Sequence, residues 1–273
     1  MLRQCYRLAR YCSARGVFLL LISLPRHLPN RSPFLATLAT STDELSTVAA
    51  PRVVRPTARP WPAAWAQPGF RGRLGLVLGL IFGGLVPAVP PFYRFIQQRA
   101  GHALADPLLA LLPAHDVSAP AFALIYGGAV VTIGFLLPRP YLLLRGLWAY
   151  LFLQLLRMLV LWLVPLEPPT GLLVLRDPLM DHLFGVTTQP IVRDLFFSGH
   201  TATMSLLTLV VRGRWWRGAL GAMTMAVGLL VLVQRVHYSY DVLAAPLFAG
   251  LAYWAAGQVV RRWPTKQLPA LNK

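Results

Sequence analysis

The chain has 273 residues, 56% of them hydrophobic and only 13% charged, with a mean hydropathy of +0.56, a balance that excludes a water-soluble domain. A net charge of +17 does not make it a nucleic-acid binder: nine of the 26 basic residues precede residue 60, and most of the others flank apolar segments, the pattern of membrane orientation. Its two cysteines, Cys5 and Cys12, both lie in the basic N-terminal stretch, which excludes a disulfide framework and a thiol site in the core.

Residues 1–70 mix Arg, Pro, Ala and Ser. Their one apolar run, 16–24, is too short to span a hydrocarbon layer of about 30 Å. Three readings stay open for this stretch: a disordered basic tail facing the cytoplasm, a start codon placed too far upstream, or a targeting segment whose apolar run follows basic residues but lacks a convincing small-residue cleavage site. Six apolar, helix-length segments follow, at about 74–89, 119–137, 141–165, 195–211, 218–236 and 242–260, and a short basic tail closes the chain from 264 to 273. Trp148, Trp162, Trp215, Trp216, Trp254 and Trp263 fit interfacial belts, and Pro90-Pro91, Pro138, Pro140 and Pro168-Pro169 are expected to punctuate loops. Asp106-Pro107 and Asp177-Pro178 each read as the opening of a short interfacial helix.

The expected fold is therefore an all-α integral membrane protein, a bundle of six transmembrane helices over residues 71–263 with both termini cytoplasmic. Charge sets that orientation. Arg71, Arg73, Arg139, Arg145, Arg212, Arg214, Arg217, Arg261, Arg262, Lys266 and Lys273 fall on one side, against Arg94, Arg99, Arg176, Arg193 and the boundary residue Arg235 on the other. The acids Asp106, Asp116, Glu167, Asp177, Asp181, Asp194 and Asp241 all fall on the less basic, outer side. On this topology two polar clusters, Ser198-Gly199-His200-Thr201 and His237-Tyr238-Ser239-Tyr240-Asp241, flank one apolar hairpin and meet at the outer face.

Each cluster has a chemical reading beside a bland one. Ser198 suits a helix N-cap, and a helix start with free amides and Gly199 in place of a larger residue accepts phosphate, although an ordinary Ser-Gly helix start looks the same. His237 and Asp241 at i, i+4 would lie one turn apart if the backbone there is helical, so that the carboxylate orients the imidazole and leaves its other nitrogen as nucleophile or base. His200 on the same face tips the balance toward a reaction centre. Arg157, about 12 Å below the outer end of its segment, is costly in a membrane and needs a partner: a substrate phosphate through a bidentate contact, or an outer acid such as Asp241. Arg235, nearer water, reads as a phosphate contact or as an interface marker.

Leu195-Phe196-Phe197-Ser198-Gly199-His200-Thr201 and His237-Tyr238-Ser239-Tyr240-Asp241-Val242 resemble the two signature motifs of sphingomyelin synthases and their bacterial relatives, a branch (PAP2 C-terminal type) of the type 2 phosphatidic acid phosphatase, or lipid phosphate phosphatase, superfamily. Leu156-Arg157 through Pro165-Leu166-Glu167-Pro168-Pro169 is similar to the arginine-bearing helix and Pro-rich turn that precede the first motif there. The resemblance runs from about residue 106 to 254. It implies a six-helix core and a reaction through a phosphohistidine that needs no metal and no cofactor. His237 would be the nucleophile, Asp241 its orienting carboxylate, and His200 the acid toward the leaving alcohol and then the base toward the acceptor. Phe197, where the phosphatase branch has proline, and Val231, where it has arginine, favour the synthase-like branch, and the phosphatase branch's first Lys-and-Arg motif likewise has no recognisable counterpart here. Arg157 takes its place as phosphate ligand.

The expectation is a membrane enzyme moving a phosphate or phospho-head group between lipids, with hydrolysis of a lipid phosphate or pyrophosphate as the alternative. Its substrates are membrane lipids, nucleic acid is no partner, and protein partners stay open. A bacterial inner membrane with the site facing the periplasm is the expected setting. A non-catalytic scaffold or lipid transporter is disfavoured by the intact acid-base set.

Overall fold

The computed structural model describes residues 61–177 and 191–261; the expected N-terminal tail through residue 60, Asp181, Trp263 and the C-terminal tail lie outside them. Among the described residues every regular element is helical. A short α1 (Trp61–Trp65) leads into α2 (Phe70–Gly79), which runs through a π-helical stretch (Leu80–Leu85) into α3 (Val86–Gln98) as one apolar rod of 29 residues. A one-turn α4 (Pro107–Leu111) precedes the hairpin of α5 (Ser118–Leu136) and α6 (Pro140–Leu163). Then come α7 (Gly199–Val210), α8 (Arg214–Val233) and α9 (Ser239–Arg261).

Five elements, the α2–α3 rod, α5, α6, α8 and α9, are long and apolar enough to cross a membrane. The fourth expected segment differs: its helix has 12 residues, about 18 Å of rise, less than the hydrocarbon thickness. The expected helical stretch before Ser198 is instead buried non-helical chain, with Leu195 and Phe197 at most 1% exposed. Its irregular backbone is tolerated because protein surrounds it. Pro90 and Pro91, expected in a loop, lie inside α3, in the turns just after the π-helical stretch, where the intrahelical ladder has already changed register. Pro140 opens α6, and Pro168-Pro169 lies in the loop beyond it, as expected. Trp148 is a core residue of α6 and not part of a belt, whereas Trp162, Trp215, Trp216 and Trp254 are exposed.

Small residues decide how the helices approach. Ala245, Ala249, Ala252 and Ala256, spaced by four, three and four, form one buried stripe of α9 that lets it lie against α6. Gly128 of α5 faces Met204 and Leu220, and a Cβ there would come within 2.7 Å of Met204 Cε. Gly228 of α8 leaves room for Val242 and Thr201. Branched and aromatic side chains such as Phe82, Val130, Leu243 and Leu247 point outward as a lipid-facing surface.

The helices alternate in direction, so one end of the bundle collects the end of α3 and α6 and the starts of α5, α7 and α9. Arg99 there donates to Trp162 O at 2.7 Å, and Ser198 N donates to Asp241 O at 3.2 Å. The opposite end holds the start of α2, where Phe70 meets Tyr141, and Arg145 stacked over Tyr253 at 3.7 Å.

Candidate active site

The second motif is built by the way α8 stops. Val236 N donates to Val231 O and Arg235 N to Leu232 O, the paired bonds of a Schellman ending, with Arg235 in the left-handed conformation at φ 57°. Glycine is the usual occupant of that position, so its absence explains why the sequence pattern ran the helix on to Val236. The turn delivers His237 before α9 begins, not within it. Tyr238 occupies the cap position, its carbonyl accepting from the amides of Asp241 and Val242. Asp241, in the first helical turn, reaches back so that Oδ2 accepts from Tyr238 N at 3.0 Å, one half of a capping box. The same Oδ2 stands 3.5 Å from His237 Nδ1, with both side chains buried. The pair thus forms across a helix start and not along a helix face.

The first motif is the start of α7. Ser198 caps it, accepting from Thr201 N at 3.4 Å and donating from Oγ to Thr201 Oγ1 at 3.1 Å. Gly199 and His200 follow in the first turn, with their amides directed out of the helix end. His200 packs edge-on against Phe122 of α5 at 5.7 Å between ring centroids, and its ring lies 6.4 Å from that of His237. The bond from Ser198 N to Asp241 O ties the two motifs together at the backbone. His200 Nδ1, His237 Nδ1 and Asp241 Oδ1 are buried with no hydrogen-bond partner among the described residues, so each of the three side chains keeps polar capacity that the protein itself does not use.

Arg157 reaches the same place from α6 and is 4% exposed. Its Nη2 pairs with Asp194 Oδ1 at 2.7 Å and its Nη1 donates to Phe197 O. The guanidinium also lies flat against Gly199, where a Cβ would come within 2.7 Å of Cζ. Its acid partner is thus Asp194 and not Asp241, and it clamps the non-helical chain that leads into Ser198. Tyr93 of α3 lies beside the same ion pair.

Arg235 is not brought to the histidines by its hydrogen bonds. Its guanidinium braces two loops, donating to Thr170 O at 3.1 Å and Leu112 O at 3.0 Å, and lines a cavity of about 240 Å³ with Asp106, Leu109, Pro168, Pro169 and Tyr238.

Three structural partners escaped the sequence. Gln234, fully buried, accepts from Val117 N at 2.6 Å and donates to Asp116 Oδ1 at 3.1 Å and Ser118 Oγ at 3.0 Å. Arg193 holds Glu167 at 3.0 Å and donates to the carbonyls of Gln97 and Arg99. Asp106, which opens α4 as expected, also binds Ser239. Polar residues beside apolar segments were the available signal for all three, of which only Gln234 is buried, and nothing in the spacing says which distant loop they meet.

Residues 193–258, the stretch that carries both motifs, match the family model described as PAP2 superfamily C-terminal. The match supports the superfamily, which generally comprises phosphatases acting on phosphoesters, and it does not distinguish the synthase-like branch. A comparison with curated proteins finds no match.

Proposed function

We propose that this chain is a membrane phosphotransferase that moves a phosphate or phospho-head group from one lipid to another through a phosphohistidine on His237. The observation that carries the reading is the meeting of buried His237 with half-buried His200, 6.4 Å apart between ring centroids, with Asp241 Oδ2 3.5 Å from His237 Nδ1.

With Nδ1–H held toward Asp241, His237 Nε2 keeps its lone pair and attacks phosphorus. The bond from phosphorus to the lipid alcohol oxygen breaks, and His200, protonated, gives that oxygen its proton. His200 then takes the proton of the acceptor hydroxyl, the acceptor oxygen attacks phosphorus, and the phosphorus–nitrogen bond breaks to restore His237. The amides of Gly199 and His200, at the positive end of α7, and the charge of Arg157 face the non-bridging oxygens, where negative charge concentrates. Arg157 does so while fixed by Asp194, so its contribution combines field and placement.

The basic residues at the far end of the bundle orient that end to the cytoplasm and the histidines to the outer side, a periplasm if the membrane is a bacterial inner membrane. The donor and acceptor are then lipids of the outer leaflet, as in the sphingomyelin synthase-like branch. The superfamily match favours a second reading in which water is the acceptor.

The test is purified protein in lipid nanodiscs with a phosphate-labelled phospholipid, with and without an acceptor lipid bearing a free hydroxyl. Label should appear in the acceptor lipid and, after rapid quench, on the protein as acid-labile phosphohistidine absent from His237→Ala. Free phosphate as the sole product would replace transfer with hydrolysis, and unchanged turnover in His200→Ala and His237→Ala would remove the active-site assignment altogether.

A further inference from the structure

The carboxylate of Asp106 does more than open the short helix α4. Capping that single turn takes one bond, from Leu109 N to Oδ1 at 3.0 Å. The same side chain crosses to α9, 133 residues away in sequence, where Oδ2 accepts from Ser239 N at 2.6 Å and Oδ1 accepts from Ser239 Oγ at 3.0 Å. Ser239 lies midway between His237 and Asp241. Two carboxylates thus divide the start of α9 between them: Asp241 takes the amide of Tyr238, and Asp106 takes the amide of Ser239.

That division has a consequence for His237. The first amides of a helix need acceptors, and an unserved amide competes for any nearby oxygen. Asp241 Oδ2 already accepts from Tyr238 N and stands 3.5 Å from the imidazole, whose Nδ1 has no hydrogen-bond partner among the described residues. With Asp106 absent, Ser239 N would become a further donor within the turn, and Asp241 could rotate toward it and away from His237. The loop carrying Asp106 is anchored to the same turn a second time, since Leu104 N donates to the hydroxyl of Tyr238 at 3.2 Å and that hydroxyl donates to Glu167 O at 3.0 Å. Amide bonds from Ser239 and Leu109 keep the Asp106 carboxyl below its ordinary range even though burial alone would raise it, so the group that binds Ser239 is the carboxylate.

We infer that Asp106 is a positioning residue for the His237–Asp241 pair: it occupies the outermost amide of α9 and so keeps Asp241 turned toward the imidazole, without touching substrate. This rests on the reading of His237 as nucleophile. The fold also supplies a way to test it, because Asp106 lines the cavity of about 240 Å³ beside Arg235 and Tyr238, room enough for a small carboxylate to reach Ser239 when the side chain is truncated.

The experiment compares wild type, Asp106→Ala, Asp106→Asn and Ser239→Ala in nanodiscs, reading kcat, KM and the rate of phosphohistidine formation, with and without sodium formate and with sodium chloride as the salt control. In Asp106→Ala, kcat and phosphohistidine formation should fall about 30- to 100-fold, with KM within about threefold of wild type, the size expected when a reacting group loses its placement. Formate, and not chloride, should restore about tenfold of that loss by binding the freed amide. Ser239→Ala removes the hydroxyl bond and keeps the amide bond, so its loss should be smaller, about threefold. Full kcat in Asp106→Ala or Asp106→Asn would overturn the inference, as would a loss in Asp106→Ala that formate leaves unchanged. If Asp106→Ala does not fold, a full rate in Asp106→Asn overturns it, and a kcat loss there at unchanged KM supports it. A wild-type protein that forms no phosphohistidine would instead remove the nucleophile assignment, whatever the Asp106 variants do.

Discussion

The starts of α7 and α9 stand side by side at one end of the bundle, joined by the bond from Ser198 N to Asp241 O, yet they are finished in opposite ways. At α9 two carboxylates, Asp241 and Asp106, accept from the amides of Tyr238 and Ser239. At α7 the cap is a neutral serine, the next residue is a glycine, and the nearest charge is the guanidinium of Arg157 against Gly199. Both ends have the same helix dipole, but only α7 leaves it available to an anion; at α9 negative charge already holds that place. On the proposed reading, the difference divides the work. A phosphate would settle on α7, whereas α9 supplies the base-like imidazole with its carboxylate, and the two histidines face each other across the division.

The most direct way to break the comparison is to put a methyl group on the open end. In Gly199→Ala the new Cβ would stand 2.7 Å from Arg157 Cζ, 2.8 Å from Nη2 and 2.9 Å from Nε, while Asp194 and Phe197 hold the guanidinium in place. The arginine must shift. Alanine is at least as good as glycine for the helix itself, so kcat/KM for a lipid phosphoester should fall about 100-fold with little change in thermal stability. Activity equal to wild type would show that the open end of α7 and Arg157 take no part in binding phosphate.

The closed end should respond to acid. Asp106 and Glu167 are both held below their ordinary values of 3.8 and 4.5. Burial opposes the shift at Asp106 but is outweighed by amide bonds from Ser239 and Leu109; at Glu167 the leading cause is the amide of Gly101. Carboxyls lowered by folding contribute stability that is fully present above the unfolded values and lost as pH falls through the folded ones. The unfolding temperature should therefore be flat from pH 7 to about 5 and fall below about 4.5, with a smaller acid limb in Asp106→Asn. An acid limb identical in Asp106→Asn would show that Asp106 does not secure α9.

Much of this was legible in the sequence because it is periodic or local. Apolar runs located five membrane-length helices, Ser198 identified its own cap, and the two motifs fell on one face once the hairpin was counted. What escaped was set by partners far along the chain. The 12-residue length of α7 follows from Arg157 and Asp194 holding residues before Ser198 out of the helix, a contact that no window around Ser198 contains. Pro90 and Pro91 stayed helical because a π-helical stretch precedes them, and that is a backbone event with no residue signature. The site was legible as residue types, less so as roles: the histidines and Asp241 come together, but the partner of Arg157 was Asp194, and the partners of Arg235 were loop carbonyls.

Arg235 gives the finest test, because two modest effects oppose each other there. A non-glycine residue in the left-handed region costs about 1 kcal/mol, and glycine would relieve it. The same substitution removes the bonds to Thr170 O and Leu112 O, which contribute about 1 kcal/mol each and less where solvent competes. Arg235→Gly should therefore unfold within about 1 kcal/mol of wild type. Since its guanidinium braces loops on the closed side, KM for the lipid phosphoester should stay within about twofold. A KM raised tenfold at constant kcat would return Arg235 to the phosphate site and make the α9 side an anion-binding face after all. A destabilisation well beyond 1 kcal/mol would instead show that the two loop contacts are worth more than the relief of the turn, and that Arg235 holds the outer loops over α9.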